Sequence, residues 1–457
     1  MRAFLYRLAW ALVRPLAAPL ARGGGKHGAA VRGRRGAVRA LAAWAAGARD
    51  PARALVWFHA ASVGEGRQAE AVLTRLRDAR PTWQIAYTYS SPSAARWASG
   101  LPADVAGYVP FDTPGETAAA LDALRPAALV FCATDVWPEL VRQAAARHVA
   151  LGLVSATLAP TSSRRGRAAR WLLGAAYGAL DRVGAIDDSD AAALVRMGVP
   201  AARLAVTGDT RHDAAHARLA ARPSSVAARC LVALRGDGRD DRPIVVAGST
   251  WPSDERVLMP ALRAAQGAGA RFRLVIAPHE PTRDHLAGLD GKLDYCMPPG
   301  MRRLRLSSLL AAGNGEPLRP GTGPSGDGGW DAVVVDIVGV LAELYTTAAC
   351  AFVGGGFHRS GLHSVIEPAA AGVPVLFGPR WRGSRDARLL LEAGGAVACG
   401  DRRALSAALT AWLVNETARA SAALAARAVV ERGLGAADRS LQLVLDLVEG
   451  RSLDPNP

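Results

Sequence analysis

VWFHAASVGEGRQAEAVLTRLR, residues 56–77, changes character twice. Val56, Trp57 and Phe58 form an apolar run that stops at His59. A small-residue loop, AASVGEG, follows, and then Ala69, Val72, Leu73 and Leu76 recur at helical spacing. Buried strand, tight loop and amphipathic helix, in that order, open a βαβ unit. The loop carries a lone carboxylate, Glu65, between Gly64 and Gly66. The dipole of the helix accounts for an acidic residue there without any function. The flanking glycines add that a backbone or a ligand can come close.

The same rhythm repeats outward from this stretch. QIAYTYS, VAGYVPFD, AALVFCAT and VALGLVSA are further apolar strands separated by helical segments. The pattern pauses near residues 214–241 and restarts with PIVVAGST, FRLVIAPH, DAVVVD, ACAFVGGG and VPVLFGP. Apolar strands alternating with helices indicate parallel sheets covered on both faces. A chain of 457 residues is also too long for one ordinary core. The expected fold is therefore α/β, with two Rossmann-like doubly wound domains at 25–215 and 241–457 and a linker at 216–240. An interdomain cleft is expected where the carboxyl ends of the strands face each other. The glycine- and proline-rich stretch 311–330 reads as a loop insertion in the second domain.

The net charge of +15 favours anionic partners. Nucleic acid is not among those expected, because basic residues are not interleaved with aromatics and no reader motif is present. The five cysteines, Cys132, Cys230, Cys296, Cys350 and Cys399, lack any C-x-x-C spacing. That argues against a disulfide framework or a zinc site and fits a reducing compartment. In residues 1–24, Arg7 and Arg14 interrupt an apolar run, so neither a transmembrane helix nor a signal peptide is expected. On a helix these arginines share one face, with Phe4, Leu5, Leu8, Trp10, Ala11 and Leu12 over much of the rest. A basic amphipathic helix lying in a membrane interface has this pattern, and so does a helix packed on the globular domain. GGGKHG (23–28) reads as a flexible tether, and the basic residues up to Arg39 suit an anionic leaflet.

The polar clusters fall just after apolar strands. VTGDTRHD (206–213) and GSTWPSDE (248–255) are strand-end loops rich in hydroxyls, and either reads as an ordinary helix cap, with Ser253 or Asp254 capping in the second. APHEPTR (277–283) places His279 and Glu280 after FRLVI. In FVGGGFHRSGLHSVIEPAAAGVPVLFGP (352–379) a strand enters a glycine loop and then a helix, expected from about His363, whose first turns carry Ser364 and Glu367. Such a helix start offers N–H groups to a phosphate, and Glu367 suits a ribose diol. The segment is neither a P-loop nor a dinucleotide fingerprint.

HAASVGEGRQA (59–69), YVPFDTPG (108–115), ATDVWPEL (133–140), VTGDTRHD, AGSTWPSDE, IAPHE, DIVGVLAELY (336–345), AFVGGGF and HSVIEPAAAGVPVLFGP together resemble the 3-deoxy-D-manno-octulosonic acid (Kdo) transferases. The resemblance runs in order from residue 55 to nearly 400. It implies a GT-B glycosyltransferase with an N-terminal membrane-anchoring helix. Its donor would be CMP-Kdo, a co-substrate, and its acceptor an anionic lipid A precursor, lipid IVA. It would have no cofactor or metal and would act on the cytoplasmic face of the bacterial inner membrane. By resemblance Glu65 is the general base, Asp135 stands where the family has a glutamate, and Arg211 stands where many members have a lysine. CMP contacts fall on Pro278 and His279, on Val338, Gly339 and Val340, and on Ser364, Val365, Ile366 and Glu367. A carboxylate in a water-poor site can take the proton of a sugar hydroxyl as it attacks the anomeric carbon, inverting that centre. The chain departs from the family at Ala133–Asp135, at His279, and at Leu362 and Ser364. A different sugar or acceptor, or a non-catalytic glycolipid-binding relative, is the alternative those departures leave.

Overall fold

The computed structural model describes residues 2–13, 17–23, 25–159, 162–221, 223–235, 240–296, 300–311 and 330–450. Among these, the first seven strands are β1 (Leu55–His59), β2 (Gln84–Tyr89), β3 (Val105–Tyr108), β4 (Ala128–Cys132), β5 (Ala150–Ala156), β6 (Arg182–Ala185) and β7 (Leu204–Val206). They form an all-parallel sheet in the order β3-β2-β1-β4-β5-β6-β7. Every residue of β1, β2 and β4 is buried, as parallel strands between two helix layers must be. Trp57, Leu129, Phe131 and Leu153 pack on one face, and Val56, Phe58, Tyr87 and Val130 on the other.

The second sheet comprises β8 (Ile244–Thr250), β9 (Arg273–Pro278), β10 (Arg303–Arg305), β11 (Ala332–Val334), β12 (Cys350–Val353), β13 (Val375–Phe377) and β14 (Ala396–Ala398). Its order is β10-β11-β9-β8-β12-β13-β14, again parallel throughout. Strand order reverses at β1/β4 in the first sheet and at β8/β12 in the second, and such switch points are where doubly wound sheets bind ligands.

The chain divides into two compact units, one running to Ala214 and resuming at Gly433, the other spanning Ala215–Arg432. This differs from a second domain at 241–457. The helix Ala436–Glu449 places Leu443, Val444, Leu445 and Leu447 in the same core as Val56, Phe58 and Val130. The linker expected at 216–240 is largely helical, occupied by the helices Thr210–Ala220 and Ser225–Arg235. Of the loop expected at 311–330, residues 312–329 lie outside the described residues.

The N-terminal segment is likewise not a tethered appendage, because a helix begins at Gly25 and runs to Ala48. On the helix Arg2–Val13, Tyr6 donates to Asp112 Oδ2 at 2.7 Å, and Arg7 reaches Glu139 at 3.1 and 3.2 Å. Trp10 meets Phe111 edge-on. Arg7 is thus spent on a buried carboxylate, while Phe4, Leu5 and Leu8 are exposed. Arg14, the other arginine of the expected basic face, lies outside the described residues. Among the described residues no helix is long and apolar enough to cross a membrane.

Candidate active site

Glu65 is the third residue of the helix Val63–Ala79, which Ser62 caps. The Ser62 N–H and hydroxyl donate to Glu65 Oε2 at 3.0 and 3.2 Å, and the Glu65 N–H donates back to Ser62 Oγ at 3.4 Å. This is a capping box, so the plain reading of Glu65 is realised in the fold. Both Ser62 donors fall on one carboxylate oxygen, Oε2. The two glycines differ in purpose. A Cβ on Gly66 would lie 2.3 Å from the Trp97 ring, so packing demands its absence, whereas around Gly64 the nearest atom is Ser62 Oγ at 3.9 Å. Gly64 leaves the approach to the carboxylate open.

Asp135 follows β4, across the switch point from Glu65. Ala133 adopts φ 61°, a left-handed turn that costs a non-glycine residue about 1–2 kcal/mol and re-aims the chain as it leaves the sheet. The Asp135 side chain thereby comes back toward β1. Its Oδ2 lies 3.2 Å from His59 Nε2 and accepts from Trp137 Nε1 at 3.1 Å, and its Oδ1 accepts from Arg164 at 3.2 Å.

The two carboxylates are pushed in opposite directions. Burial, and then the charge of Asp135, raise Glu65 above its ordinary value against the Ser62 hydrogen bonds and His59. Burial also pushes Asp135 upward, but the hydrogen bond and charge of His59, with Arg164 and Trp137, hold it below the usual carboxylate range. Neighbouring acids separated in this way take different roles in proton transfer.

Arg211 belongs to the same unit, just past β7. Its guanidinium pairs with buried Asp209, Nε lying 2.9 Å from Oδ2, and Gln68, on the Glu65 helix, donates to Asp209 Oδ1 at 3.0 Å. Burial opposes the charge of Asp209, yet Arg211 and Gln68 hold its pKa down to about 2. Thr210 Oγ1 donates to the Gln68 carbonyl at 2.8 Å, fastening this turn to the Glu65 helix. Glu65, Asp135 and Arg211 thus all follow the carboxyl ends of strands of the first sheet, and the Gln68–Asp209 bond ties the Arg211 turn to the Glu65 helix.

In the second unit the three expected nucleotide segments lie at the ends of β9, β11 and β12; β12 forms the switch with β8, β9 is the neighbour of β8, and β11 is one strand further out. Gly339 has φ 92°, and its carbonyl accepts from Arg218 at 3.0 Å. The side chains of Pro278, Val340, Val365 and Ile366 are buried, so those residues offer a ligand only backbone, while Val338, His279 and Ser364 are exposed. The helix expected from His363 begins at Ile366 and runs only to Ala370, with Glu367 in its first turn. Ser364 therefore precedes the helix. Asp254 organises the glycine loop. Completely buried, it accepts from Gly355 N at 2.8 Å, Phe357 N at 2.9 Å and Trp251 N at 2.9 Å. It is more than the helix cap its sequence suggests.

Beside the loop, Trp251 stacks on His358 at 4.1 Å and on His279 at 4.6 Å, and His279 stacks on His363 at 4.3 Å. Trp251 Nε1 donates to His363 Nε2 at 2.9 Å, which requires that nitrogen to be unprotonated. Burial, then His279 and His358, lower the His363 pKa to about 4. Sequence reading missed His59, Trp137, Arg164, Asp209, Trp251 and His358 as site residues. All of these but Arg164 stood inside quoted segments, but only the folded chain shows what they touch.

Residues 31–214 match the family model described as 3-Deoxy-D-manno-octulosonic-acid transferase (kdotransferase). The 3-deoxy-D-manno-octulosonic acid transferase of Bordetella pertussis is 32% identical over 417 residues, covering 88% of this chain and 90% of the relative. That of Haemophilus influenzae is 23% identical over 398 residues, covering 86% and 87%. In fold alone, the chain is similar to UDP-GlcNAc 2-epimerase from Neisseria meningitidis, with TM-score 0.59, 13% identity and coverage of 86% and 100%. It is also similar to MurG from Acinetobacter baumannii, with TM-score 0.51, 14% identity and coverage of 86% and 99%. Two doubly wound units of the GT-B kind, with a polar cluster at each switch point and a relative this similar along most of its length, identify the chain: it belongs to the 3-deoxy-D-manno-octulosonic acid transferase family of glycosyltransferases.

Proposed function

We propose that this chain transfers Kdo from CMP-Kdo to an anionic lipid A precursor, lipid IVA, at the cytoplasmic face of the bacterial inner membrane. The observation that carries the reading is the pair of carboxylates at the β1/β4 switch point, Glu65 raised and Asp135 lowered. Glu65 is the general base. Its raised proton affinity suits it to take the acceptor hydroxyl's proton as that oxygen attacks the anomeric carbon of Kdo. The bond to CMP breaks on the opposite face, its electron pair leaves with the phosphate, and the anomeric centre inverts. Asp135 stays ionised and contributes negative potential beside the developing positive charge of the sugar. Arg211 supplies positive charge for the anionic groups, its fork oriented by Asp209. In the second unit Pro278, His279, Val338–Val340 and Ser364–Glu367 hold the CMP. In this reading protein cations, rather than a metal, stabilise the leaving phosphate. The exposed Phe4, Leu5 and Leu8 are the membrane contact.

The test incubates the detergent-solubilised protein with CMP-Kdo generated in situ and tetra-acylated lipid A precursor, read by mass spectrometry. Wild type is expected to add whole Kdo units, and Glu65→Gln to be slower by about 10²–10⁴-fold. Unaltered lipid with folded wild type sinks the reading. A Glu65→Gln variant as fast as wild type sinks the role of Glu65.

A further inference from the structure

His59 is the last residue of β1, fully buried, and the mechanism above leaves it without a task. Strand register sets it beside Thr88 on β2 and Phe131 on β4. Its Nδ1 lies 3.0 Å from Thr88 Oγ1, and its Nε2 lies 3.2 Å from Asp135 Oδ2 and 3.0 Å from Trp137 Nε1.

Asp135 settles which nitrogen carries a hydrogen. Its carboxylate can only accept, and Oδ2 lies 3.2 Å from Nε2, so Nε2 bears a hydrogen and donates to it. On the other side of the ring Nδ1 meets Thr88 Oγ1 at 3.0 Å, and that hydroxyl also accepts from Trp57 Nε1 at 2.9 Å. The Trp137 indole N–H is consequently left for Asp135 Oδ2. With Arg164, three N–H donors from three separate segments converge on one carboxylate.

We infer that His59 is a positioning residue for glycosyl transfer: its Nε2–H, oriented through Thr88 by Trp57, fixes the Asp135 carboxylate at the β1/β4 switch point within electrostatic reach of Glu65. The inference rests on the transferase reading given above. The other charged or titratable groups around the pair are Glu65 on its helix, Arg164, Arg34 on the helix Gly25–Ala48, and Tyr177 on the helix Arg167–Gly178. None of these replaces the His59 donor on Oδ2, since Arg164 binds the other oxygen.

A positioning role through Asp135 differs from a merely structural one in two readouts, a split between kcat and KM and a non-additive double-mutant cycle. Kdo transfer is measured for wild type, His59→Leu, His59→Gln, Asp135→Asn and His59→Leu combined with Asp135→Asn. His59→Leu is expected to lower kcat about 10–100-fold with KM for either substrate within about threefold. His59→Gln, whose amide can donate toward Asp135, is expected within about fivefold of wild type. The double variant is expected to be no slower than the slower single variant. Should His59→Leu not fold, His59→Asn replaces it, because its shorter amide reproduces Nδ1 and not Nε2. Multiplying losses in the double variant, a glutamine variant as slow as leucine or asparagine, or an Asp135→Asn variant within about threefold of wild type each overturn the inference. Wild type that transfers no Kdo refutes the transferase reading instead.

Discussion

Replacing Asp254 by alanine removes two bonds that fasten the glycine loop and one that caps the helix after β8. Its carboxylate accepts three backbone N–H groups, at 2.8, 2.9 and 2.9 Å, with no exposure to solvent. Each buried donor left without a partner costs about 1–3 kcal/mol, and the Trp251 bond is a helix cap whose loss costs about 1 kcal/mol. With Gly355 and Phe357 as the orphaned donors, Asp254→Ala is expected to destabilise its unit by about 3–7 kcal/mol. Asp254→Asn is gentler. An amide oriented with its oxygen at the Oδ2 position keeps the Trp251 and Gly355 bonds and sets its NH₂ against Phe357 N–H, for about 1–2 kcal/mol. Urea unfolding, followed by tryptophan fluorescence on the transition of that unit, reads both values. Calorimetric CMP titration reads the consequence, since a loosened loop must be re-ordered on binding. An alanine variant within about 1 kcal/mol of wild type, or an asparagine variant as unstable as alanine, would refute the reasoning.

The two glycines around Glu65 make a sharper contrast than either alone. Gly66→Ala drives a methyl into Trp97 and is expected to cost about 1–3 kcal/mol. Gly64→Ala meets open space in a helix and is expected to leave the melting temperature unchanged or raise it slightly; equal melting temperatures for the two variants would contradict the packing described. His363 gives a pH signature. Its folded pKa of about 4 lies below that of the unfolded chain, so the unfolded state binds the extra proton between these values. Its contribution is full above about pH 6.5 and is lost as pH falls toward 4, amounting to at most about 2 kcal/mol once its partial exposure is discounted. Stability measured against pH should lose that part of its slope in His363→Gln, and an unchanged slope counts against the neutral His363.

The sheets were legible because buried parallel strands are near-continuous apolar runs, and LVWFH, ALVFC and IVVAG have no other comfortable reading. Glu65 was legible for a local reason, since its loop and helix lie within a few residues of it. His59 was not, because its meaning lies in Thr88, Trp137 and Asp135, brought to it by register and by the left-handed turn at Ala133. The helix Ile366–Ala370 was expected too early. His363 is held instead through its N–H to the Gly354 carbonyl at 3.1 Å and its ring to Trp251, partners remote from the sequence periodicity. Asp254 looked like a cap because its neighbours in sequence make it one, and its bonds to Gly355 and Phe357 span about a hundred residues.

The return of Ala436–Glu449 to the first unit also orders events during synthesis. Strands β1 to β7 leave the ribosome with the face bearing Val56, Phe58 and Val130 only partly covered, by Val72, Leu73 and Leu76 of the Glu65 helix, because Leu443, Val444 and Leu447 have not been made. At about 5–20 residues per second that face waits roughly 10–50 s. In that interval the second unit, whose chain is continuous, has everything it needs to close its own core. The half of the enzyme translated first is therefore completed last. A nascent chain stalled shortly before Leu443 exposes an apolar strip on a nearly finished sheet, the surface on which a chaperone would be expected to act.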